Sequence, residues 1–119
     1  MLTKYNIASW IVLVLGGLLV GSCNSNATAD ADATAYIPKS DTVVIEQMVF
    51  SPAELTVHKG DTIIFINRDL VAHDITQKEE NWASPTLSMD DSWSKIADES
   101  FDYFCSIHVV MAGKVVVKD

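Results

Sequence analysis

Hydrophobic and polar residues divide this chain of 119 residues into three segments of different character. Residues 7–20 form an almost continuous apolar run, residues 24–35 are small and mostly polar, and the residues from 41 onward alternate with a period of two. A period of two is typical of strands that bury one face, whereas a helix repeats every three to four residues. The pattern therefore predicts an export segment, a linker and a β-domain.

The β-domain is predicted from short runs of β-forming residues that are separated by turn residues. The runs are residues 42–46, 55–58, 62–66, 72–76, 92–97, 101–105 and 113–118. Phe50-Ser51-Pro52 is expected to break the first run, and residues 77–91 predict a long loop or a weak strand. In the run before the last, Phe101, Tyr103 and Cys105 fall on one face. Strands of this spacing are typical of an all-β Greek-key sandwich or barrel, here with about seven to eight strands.

The first 22 residues are similar to the signal peptide of a bacterial lipoprotein. Lys4 precedes the apolar run, which is shorter than the roughly 20 apolar residues that a membrane-spanning helix needs. The run ends in Gly21-Ser22-Cys23, and small residues directly before a cysteine resemble a lipobox. The resemblance implies cleavage before Cys23 and lipidation of its sulfur. An ordinary signal peptide with a chance cysteine and an uncleaved anchor are the alternatives.

The predicted domain organisation follows from these segments. Residues 1–22 are the signal peptide, residues 23–40 are the lipidated cysteine and a flexible tether, and residues 41–119 are the β-domain. The small polar residues of the tether cannot bury enough apolar surface to order themselves, which predicts flexibility. The expected location is outside the cytoplasm of a bacterium, on a membrane through the lipid anchor, facing the periplasm or the cell exterior.

Charge and cysteine content exclude several classes of protein. The chain has 8 Lys and Arg against 16 Asp and Glu, a formal net charge of -8; removal of residues 1–22 takes away Lys4 and no acidic residue, and so leaves -9. A nucleic-acid binder needs a basic surface to neutralise phosphates, so nucleic acid is not an expected partner. The two cysteines are too few for a disulfide scaffold or an all-cysteine zinc site.

Four residues carry the donor atoms of a metal site. Cys105-Ser-Ile-His108-Val-Val-Met111 places a thiolate, an imidazole and a thioether in one short loop, and His73 lies upstream. Two histidines, a cysteine and a weak axial methionine are the ligands of blue-copper sites, because soft sulfur favours Cu(I) and imidazole binds both oxidation states. Each residue also has an ordinary alternative as core or surface, and zinc could bind the same ligands. His58, the third histidine, is expected to face solvent.

At these residues the chain resembles the cupredoxins, the plastocyanin–azurin–amicyanin family of small blue-copper proteins, over about residues 43–119. The strongest stretch is residues 103–117, where the Cys-x-x-His-x-x-Met spacing is that of the short ligand loop of amicyanin-like members. Residues 66–69 followed by a histidine also look like the stretch that delivers the first ligand. The resemblance implies one type 1 copper per chain, with His73, Cys105 and His108 as equatorial ligands and Met111 as the axial one.

The chain departs from this family at two places. Relatives usually have asparagine after the first histidine, where this chain has Asp74. We expect the Asp74 N–H to point at the cysteine sulfur, as in the family, and its side chain to accept a hydrogen bond from the Ser106 hydroxyl. An ionised Asp74 near copper would stabilise Cu(II) and lower the reduction potential. The other departure is Val109-Val110, where many relatives carry proline, so the loop should be less stiff.

The predicted function is electron transfer by a membrane-tethered blue-copper protein that alternates between Cu(I) and Cu(II). The resemblance implies that His108 is the exposed edge of the site, and Val71, Val109 and Val110 would form an apolar docking patch around it. The acidic remainder would steer a redox partner with a basic docking face. We expect a monomer that is not an enzyme, since the sequence has no second histidine cluster for oxygen or nitrite chemistry. The alternatives are a copper storage or delivery module with the same ligands, and a metal-free structural β-sandwich.

Overall fold

The computed structural model describes residues 35–119, which form eight strands in two four-stranded sheets and, within that range, no helix. The strands are β1 (Ser40–Glu46), β2 (Val49–Ser51), β3 (Glu54–His58), β4 (Thr62–Asn67), β5 (Thr76–Gln77), β6 (Ser92–Ile96), β7 (Phe101–Phe104) and β8 (Ala112–Lys118). The predicted all-β sandwich and its number of strands are confirmed. In the described part of the chain, no helix is long and apolar enough to cross a membrane. The predicted signal peptide, the lipidation site Cys23 and most of the predicted tether lie outside the described residues.

The sheets are assembled largely from strands that are distant in sequence. One sheet has the order β2-β1-β4-β6 and the other has the order β3-β8-β7-β5. β1 runs parallel to β4 and β3 runs parallel to β8, whereas the other neighbours are antiparallel. Parallel neighbours cannot be joined by a tight hairpin. Between β1 and β4, and again between β3 and β8, the chain therefore crosses to the opposite sheet and back. This crossing brings the segment after β4 beside the segment after β7, where His73 contacts Cys105.

The core lies between the sheets and follows the predicted alternation. In β4, Ile63 and Phe65 are fully buried and the residues between them are half-buried. In β7, the alternation places Phe101 and Tyr103 in the core, and Cys105 continues the same buried face directly after the strand, as predicted. Cys105 is therefore fixed by the packing that holds the core.

Two segments differ from the sequence predictions. The break expected at residues 50–52 is wrong for Phe50 and Ser51, which belong to β2, a strand that pairs with β1 through a turn at Gln47 and Met48. Both turn residues have positive φ, 54° and 62°, although neither is glycine or asparagine. The strand expected at residues 72–76 is reduced to β5 and a single bridge between His73 and Leu87. Residues 73–77 are all buried, so this segment runs inside the protein and not along a half-exposed sheet.

A buried carboxylate fastens the segment before β1 to the turn between β3 and β4. Asp61 accepts hydrogen bonds from the Tyr36 hydroxyl at 2.7 Å, the Lys39 N–H at 2.9 Å and the His58 N–H at 2.8 Å. Burial by itself would raise the pKa of Asp61, but these donors together lower that pKa from 3.8 to about 2. The Tyr36 ring lies 4.6 Å from the ring of His58, which is exposed as expected. The segment before β1 is therefore fastened beside the first residue of β4, whereas His73 follows the last residue of that strand.

Candidate metal centre

Two loops at one end of the sandwich bring the predicted metal ligands together. His73 lies between β4 and β5, Cys105 directly follows β7, and Met111 directly precedes β8. The Cys105 Sγ is 3.7 Å from the His73 Nδ1, and the ring centroids of His73 and His108 are 5.0 Å apart. Met111 packs in the same core cluster as Cys105. His73 and Cys105 are thus in contact, with His108 beside them.

Exposure differs among these side chains. His73 and Cys105 are fully buried and Met111 is nearly so, whereas His108 is partly exposed. Within residues 35–119, Cys105 is a free cysteine. The burial keeps water from the thiol and from the His73 ring, while the His108 ring connects the site with the surface.

Backbone hydrogen bonds close the loop that carries Cys105, His108 and Met111. The Cys105 N–H donates to the Met111 carbonyl at 3.1 Å, and the Met111 N–H donates to the His108 carbonyl at 2.9 Å. Pairing of β7 with β8 holds both ends of the loop, since Phe104 lies opposite Ala112. The three side chains are therefore carried by a short loop with little freedom to rearrange.

Asp74 joins the segment of His73 to the loop of Cys105. Its backbone N–H points at the Cys105 Sγ at 3.5 Å. Its buried carboxylate accepts the Ser106 N–H at 2.7 Å with Oδ1 and the Ser106 hydroxyl with Oδ2. The contact of the Asp74 N–H with the sulfur and that of the Ser106 hydroxyl with the carboxylate have the direction expected from the sequence, whereas the contact of the Ser106 N–H was not predicted. Asp74 therefore braces the loop of Cys105 through its carboxylate and directs a hydrogen-bond donor at the sulfur through its backbone N–H.

Sequence reasoning missed the contact between His73 and Asp69. The Asp69 Oδ2 lies 2.9 Å from the His73 Nε2. The same carboxylate accepts the Gln47 N–H at 2.7 Å and the Met48 N–H at 2.9 Å, so it also holds the turn between β1 and β2. The hydrogen bond from Met48 is the main reason that the pKa of Asp69 lies below its ordinary value. An acidic residue four residues before a histidine is a weak signal in a sequence. The turn at Gln47 and Met48 that fixes the Asp69 carboxylate is distant in the chain, so no local pattern marks this contact.

Asn67, which sequence reasoning also missed as a site residue, shapes the loop that leads to His73. It is the last residue of β4 and is fully buried. Its Nδ2 donates to the Val71 and Leu87 carbonyls, both at 2.9 Å, and its Oδ1 accepts the Asp69 N–H at 2.9 Å. Asn67 continues the buried alternation of β4, and an amide at such a core position is a signal that could have identified it.

Exposed apolar residues flank the candidate ligands in both loops. Val71, Val109 and Val110 are 46%, 71% and 88% exposed, so the three residues of the predicted docking patch all lie at the surface. Leu70 and Ile107 are exposed as well, and the sequence did not single out Ile107. Because the loops meet where His73 contacts Cys105, these apolar side chains share one end of the molecule with the partly exposed His108.

The donor set suits a soft metal, although its side chains do not form a finished coordination shell. Among the described residues, no three His, Cys, Asp or Glu side chains are grouped closely enough to hold a metal ion by themselves. The His73 Nδ1 and the Cys105 Sγ nevertheless face each other, because the contact of the Nε2 with the Asp69 carboxylate orients the His73 ring. One cysteine, two histidines and a buried methionine are the donors that copper takes in a trigonal site with a weak axial thioether. The fit of copper rests on these donors and contacts.

Most of the chain is similar in sequence to known copper proteins. Residues 39–118 match the model of a family described as copper binding proteins, plastocyanin/azurin family. An amicyanin of Paracoccus versutus is 31% identical over 94 residues, which cover 72% of this chain and 71% of that protein. A plastocyanin of Synechococcus is 25% identical over 124 residues, with 88% and 86% of the two chains covered.

Solved structures resemble the fold as well. A Cu(I) structure of an amicyanin variant has a TM-score of 0.63 at 30% identity, and the match covers 66% of this chain and 82% of that one. Another amicyanin variant, in a reduced Cu(I) form at pH 4, has a TM-score of 0.63 at 28% identity and covers 71% and 88%. Fold similarity and sequence similarity therefore indicate the same relatives.

Proposed function

The chain belongs to the plastocyanin/azurin family of copper-binding proteins, and from that membership we propose that it carries single electrons between partner proteins on one type 1 copper. The observation that supports the proposal most directly is the 3.7 Å contact between the buried Cys105 Sγ and the His73 Nδ1, beside the partly exposed His108. A thiolate and an imidazole that are in contact inside a β-sandwich can bind a metal ion in two oxidation states that differ by one electron, without the ion changing its position.

In this proposal His73, Cys105, His108 and Met111 would hold the copper. When bound, the copper supplies a one-electron couple between Cu(I) and Cu(II). His73 would bind through Nδ1 and Cys105 through Sγ, the two atoms that already face each other. The Asp74 N–H, directed at the same sulfur, would stabilise the thiolate.

The contribution of the protein is a site that resists rearrangement. The Cys105 N–H and the Met111 N–H close the ligand loop on itself, and the Asp74 carboxylate ties Ser106 to the His73 segment. Donors that are held in advance need little reorganisation when the charge of the metal changes. Electron transfer through such a site is fast because little movement has to precede it.

Partner docking is proposed at the apolar end that holds His108. Val71, Val109 and Val110 are exposed there, and a small apolar patch suits a transient complex that brings a second redox centre close to the copper. The net charge of -8 favours a partner with a basic docking face. The electron would pass through the His108 ring, which is partly exposed at this end.

We further propose that the domain works outside the cytoplasm of a bacterium and that lipid on Cys23 holds it at a membrane. The support is the order of Lys4, the apolar run and Gly21-Ser22-Cys23 in the sequence. Cys23→Ser should abolish labelling by a fatty acid, whereas Ser25→Ala should keep it. A wild-type protein that takes up no fatty acid would favour an ordinary signal peptide or an uncleaved anchor over a lipid.

The absorption spectrum of the copper-loaded protein tests the proposed electron transfer. A strong blue thiolate-to-copper band with a reversible one-electron midpoint supports it. Colourless copper that a chelator removes readily would favour storage or delivery, and absence of binding would leave a structural role. Cys105→Ser and His73→Ala should abolish the band, while His58→Ala, which removes an exposed imidazole, should keep it. A blue Cys105→Ser protein would contradict the ligand assignment.

A further inference from the structure

Both ring nitrogens of His73 face a partner. The Nδ1 lies 3.7 Å from the Cys105 Sγ, and the Nε2 lies 2.9 Å from the Asp69 Oδ2. An ionised carboxylate only accepts hydrogen bonds, so this contact favours a hydrogen on Nε2, which in a neutral ring leaves the Nδ1 lone pair free toward the sulfur. The His73 side chain is fully buried and the Asp69 side chain is 15% exposed, so water screens this contact little.

The position of Asp69 is fixed by two other parts of the fold. The Gln47 and Met48 N–H groups donate to its carboxylate at 2.7 and 2.9 Å, and its own N–H donates to the Asn67 Oδ1. The turn between β1 and β2 thus holds the side chain, while the end of β4 holds the backbone. The carboxylate has little freedom to turn away from His73.

We propose that Asp69 is a positioning residue for His73, which selects the Nε2–H form of the ring and lowers the reduction potential of the bound copper. The inference rests on the proposed function, because it treats His73 as a copper ligand. A carboxylate that accepts the far N–H of a ligating imidazole fixes the orientation of the ring and makes it a stronger donor. Its negative charge also stabilises Cu(II) more than Cu(I).

Asp69 acts on a different ligand from Asp74, and a third carboxylate offers a matched control. Asp74 bonds to Ser106 and points its N–H at Cys105, whereas Asp69 bonds to the His73 ring. Asp90 pairs with Arg68 at the same end of the molecule, and its side chain is 58% exposed. Asp90→Asn therefore removes a nearby charge without removing a contact to a proposed ligand.

Comparison of Asp69→Asn with Asp90→Asn tests the inference in the copper-loaded protein. Loss of a partner that is hydrogen-bonded to a metal ligand typically lowers metal affinity by about 10- to 100-fold. We expect Asp69→Asn to lower the Cu(II) affinity by a factor in that range and the Cu(I) affinity by a smaller factor, so that the midpoint potential rises. If the loss of Cu(II) affinity exceeds the loss of Cu(I) affinity tenfold, the midpoint rises by about 59 mV. Asp90→Asn should keep the wild-type midpoint. An Asp69→Asn midpoint at or below the wild-type value would overturn the inference.

A measurement on the metal-free protein separates a failure of this inference from a failure of the proposed function. Nitrogen-15 NMR of the imidazole rings distinguishes the Nε2–H form of a neutral histidine from the Nδ1–H form. We expect His73 to take the Nε2–H form in the wild-type protein and a mixture of both forms in Asp69→Ala, which, unlike Asp69→Asn, leaves no side-chain oxygen to accept the Nε2–H. An unchanged Nε2–H form in the variant would overturn the inference. If the wild-type protein binds no copper, the proposed function fails and the NMR result still decides whether Asp69 positions the ring.

Asp69→Asn also weakens the turn at Gln47 and Met48, and the variant could fail to fold for that reason. Gln47→Gly combined with Met48→Gly suits the positive φ of both positions and makes the turn less dependent on the carboxylate. In this background the midpoint is then compared with and without Asp69→Asn, and the NMR spectrum with and without Asp69→Ala. The same rise in midpoint and the same change of ring form are expected, and their absence would overturn the inference.

Discussion

Among single residues, the buried Asp74 should have a large effect on the redox balance. Its carboxylate bonds to Ser106, next to the proposed copper ligand Cys105. Asp74→Asn keeps an oxygen for the Ser106 N–H and removes the negative charge, so the midpoint should rise because Cu(II) loses stabilisation. Voltammetry measures the shift, and Asp98→Asn, at an exposed position, should leave the midpoint unchanged. A midpoint that stays constant or falls in Asp74→Asn would show that the copper does not sense this charge.

Gly113 is required by the close approach of a core tyrosine. A Cβ at this position would lie 2.3 Å from the Tyr103 Cζ and Oη. Tyr103 cannot retreat, because its ring is fully buried and packs edge-on against Phe50 and Phe65 at 4.8 and 5.3 Å. Gly113→Ala should therefore lower the free energy of unfolding by about 1–3 kcal/mol in urea denaturation. Lys114→Ala, at the exposed neighbouring position, should change it by about 0.5 kcal/mol or less, and equal effects of the two substitutions would contradict the prediction.

The hydroxyl of the same tyrosine should contribute little to stability. It is buried and has no hydrogen-bond partner in the described part of the chain, and burial raises the pKa of Tyr103. Tyr103→Phe removes a group that makes no bond, so the free energy of unfolding should stay constant or rise. The substitution should also reduce the effect of Gly113→Ala, which a double-mutant cycle in urea measures. A loss above about 1 kcal/mol in Tyr103→Phe would mean that the hydroxyl is bonded, for example to water.

Among the elements, the link between the segment before β1 and the β3–β4 turn should be sensitive to acid. The pKa of Asp61 is lowered from 3.8 to about 2, so its contribution to stability is present above about pH 4 and is lost as the pH falls toward 2. Asp61→Asn should be less stable than the wild-type protein at pH 7, and the difference should shrink between pH 4 and 2. Urea denaturation of the metal-free proteins across this range measures the difference. Parallel stability curves would contradict the prediction.

Strand positions could be predicted from the sequence wherever one face is buried and the other is not. The alternation in β4 and β7 is of this kind, and it also placed Cys105 on the core face. β2 was missed because its turn at Gln47 and Met48 lacks the glycine or asparagine that usually marks two positive φ angles. The Asp69 carboxylate holds this turn from another part of the chain, and such long-range support leaves no local pattern.

The sequence predicted which donor atoms meet at the metal centre better than it predicted what holds them. Spacing and chemistry singled out His73 and Cys105, whose Nδ1 and Sγ atoms lie in contact. The supporting contacts of Asp69 and Asn67 were not predicted, because they depend on the relative position of β1, β4 and the loop that follows. Asp74 was predicted only because the resemblance to a known family pointed to its position.

For the whole molecule, the excess of negative charge should govern how fast partners associate. A net charge of -8 attracts a basic partner, and this attraction weakens with salt because the Debye length shrinks from about 10 Å at 0.1 M to about 3 Å at 1 M. Stopped-flow measurement of electron transfer to a basic c-type cytochrome should show a rate that falls as salt is added. An acidic cytochrome is the control and should show the opposite trend. A salt-independent rate with the basic partner would contradict electrostatic steering.

The parallel pairing of β3 with β8 is one of the long-range steps that complete the sandwich around the proposed metal centre. Leu55 pairs with Val115 across this parallel interface, and the loop of Cys105, His108 and Met111 directly precedes β8. Such pairing is slow, because a long stretch of chain must be ordered before the two strands can meet. The β7–β8 hairpin holds both ends of the loop, but His73 meets Cys105 only when distant parts of the two sheets are assembled, so the complete donor set forms late in folding. If the chain crosses a membrane unfolded, as the proposed location implies, it would bring no finished centre with it and would take up copper on the far side, as a late step of its maturation.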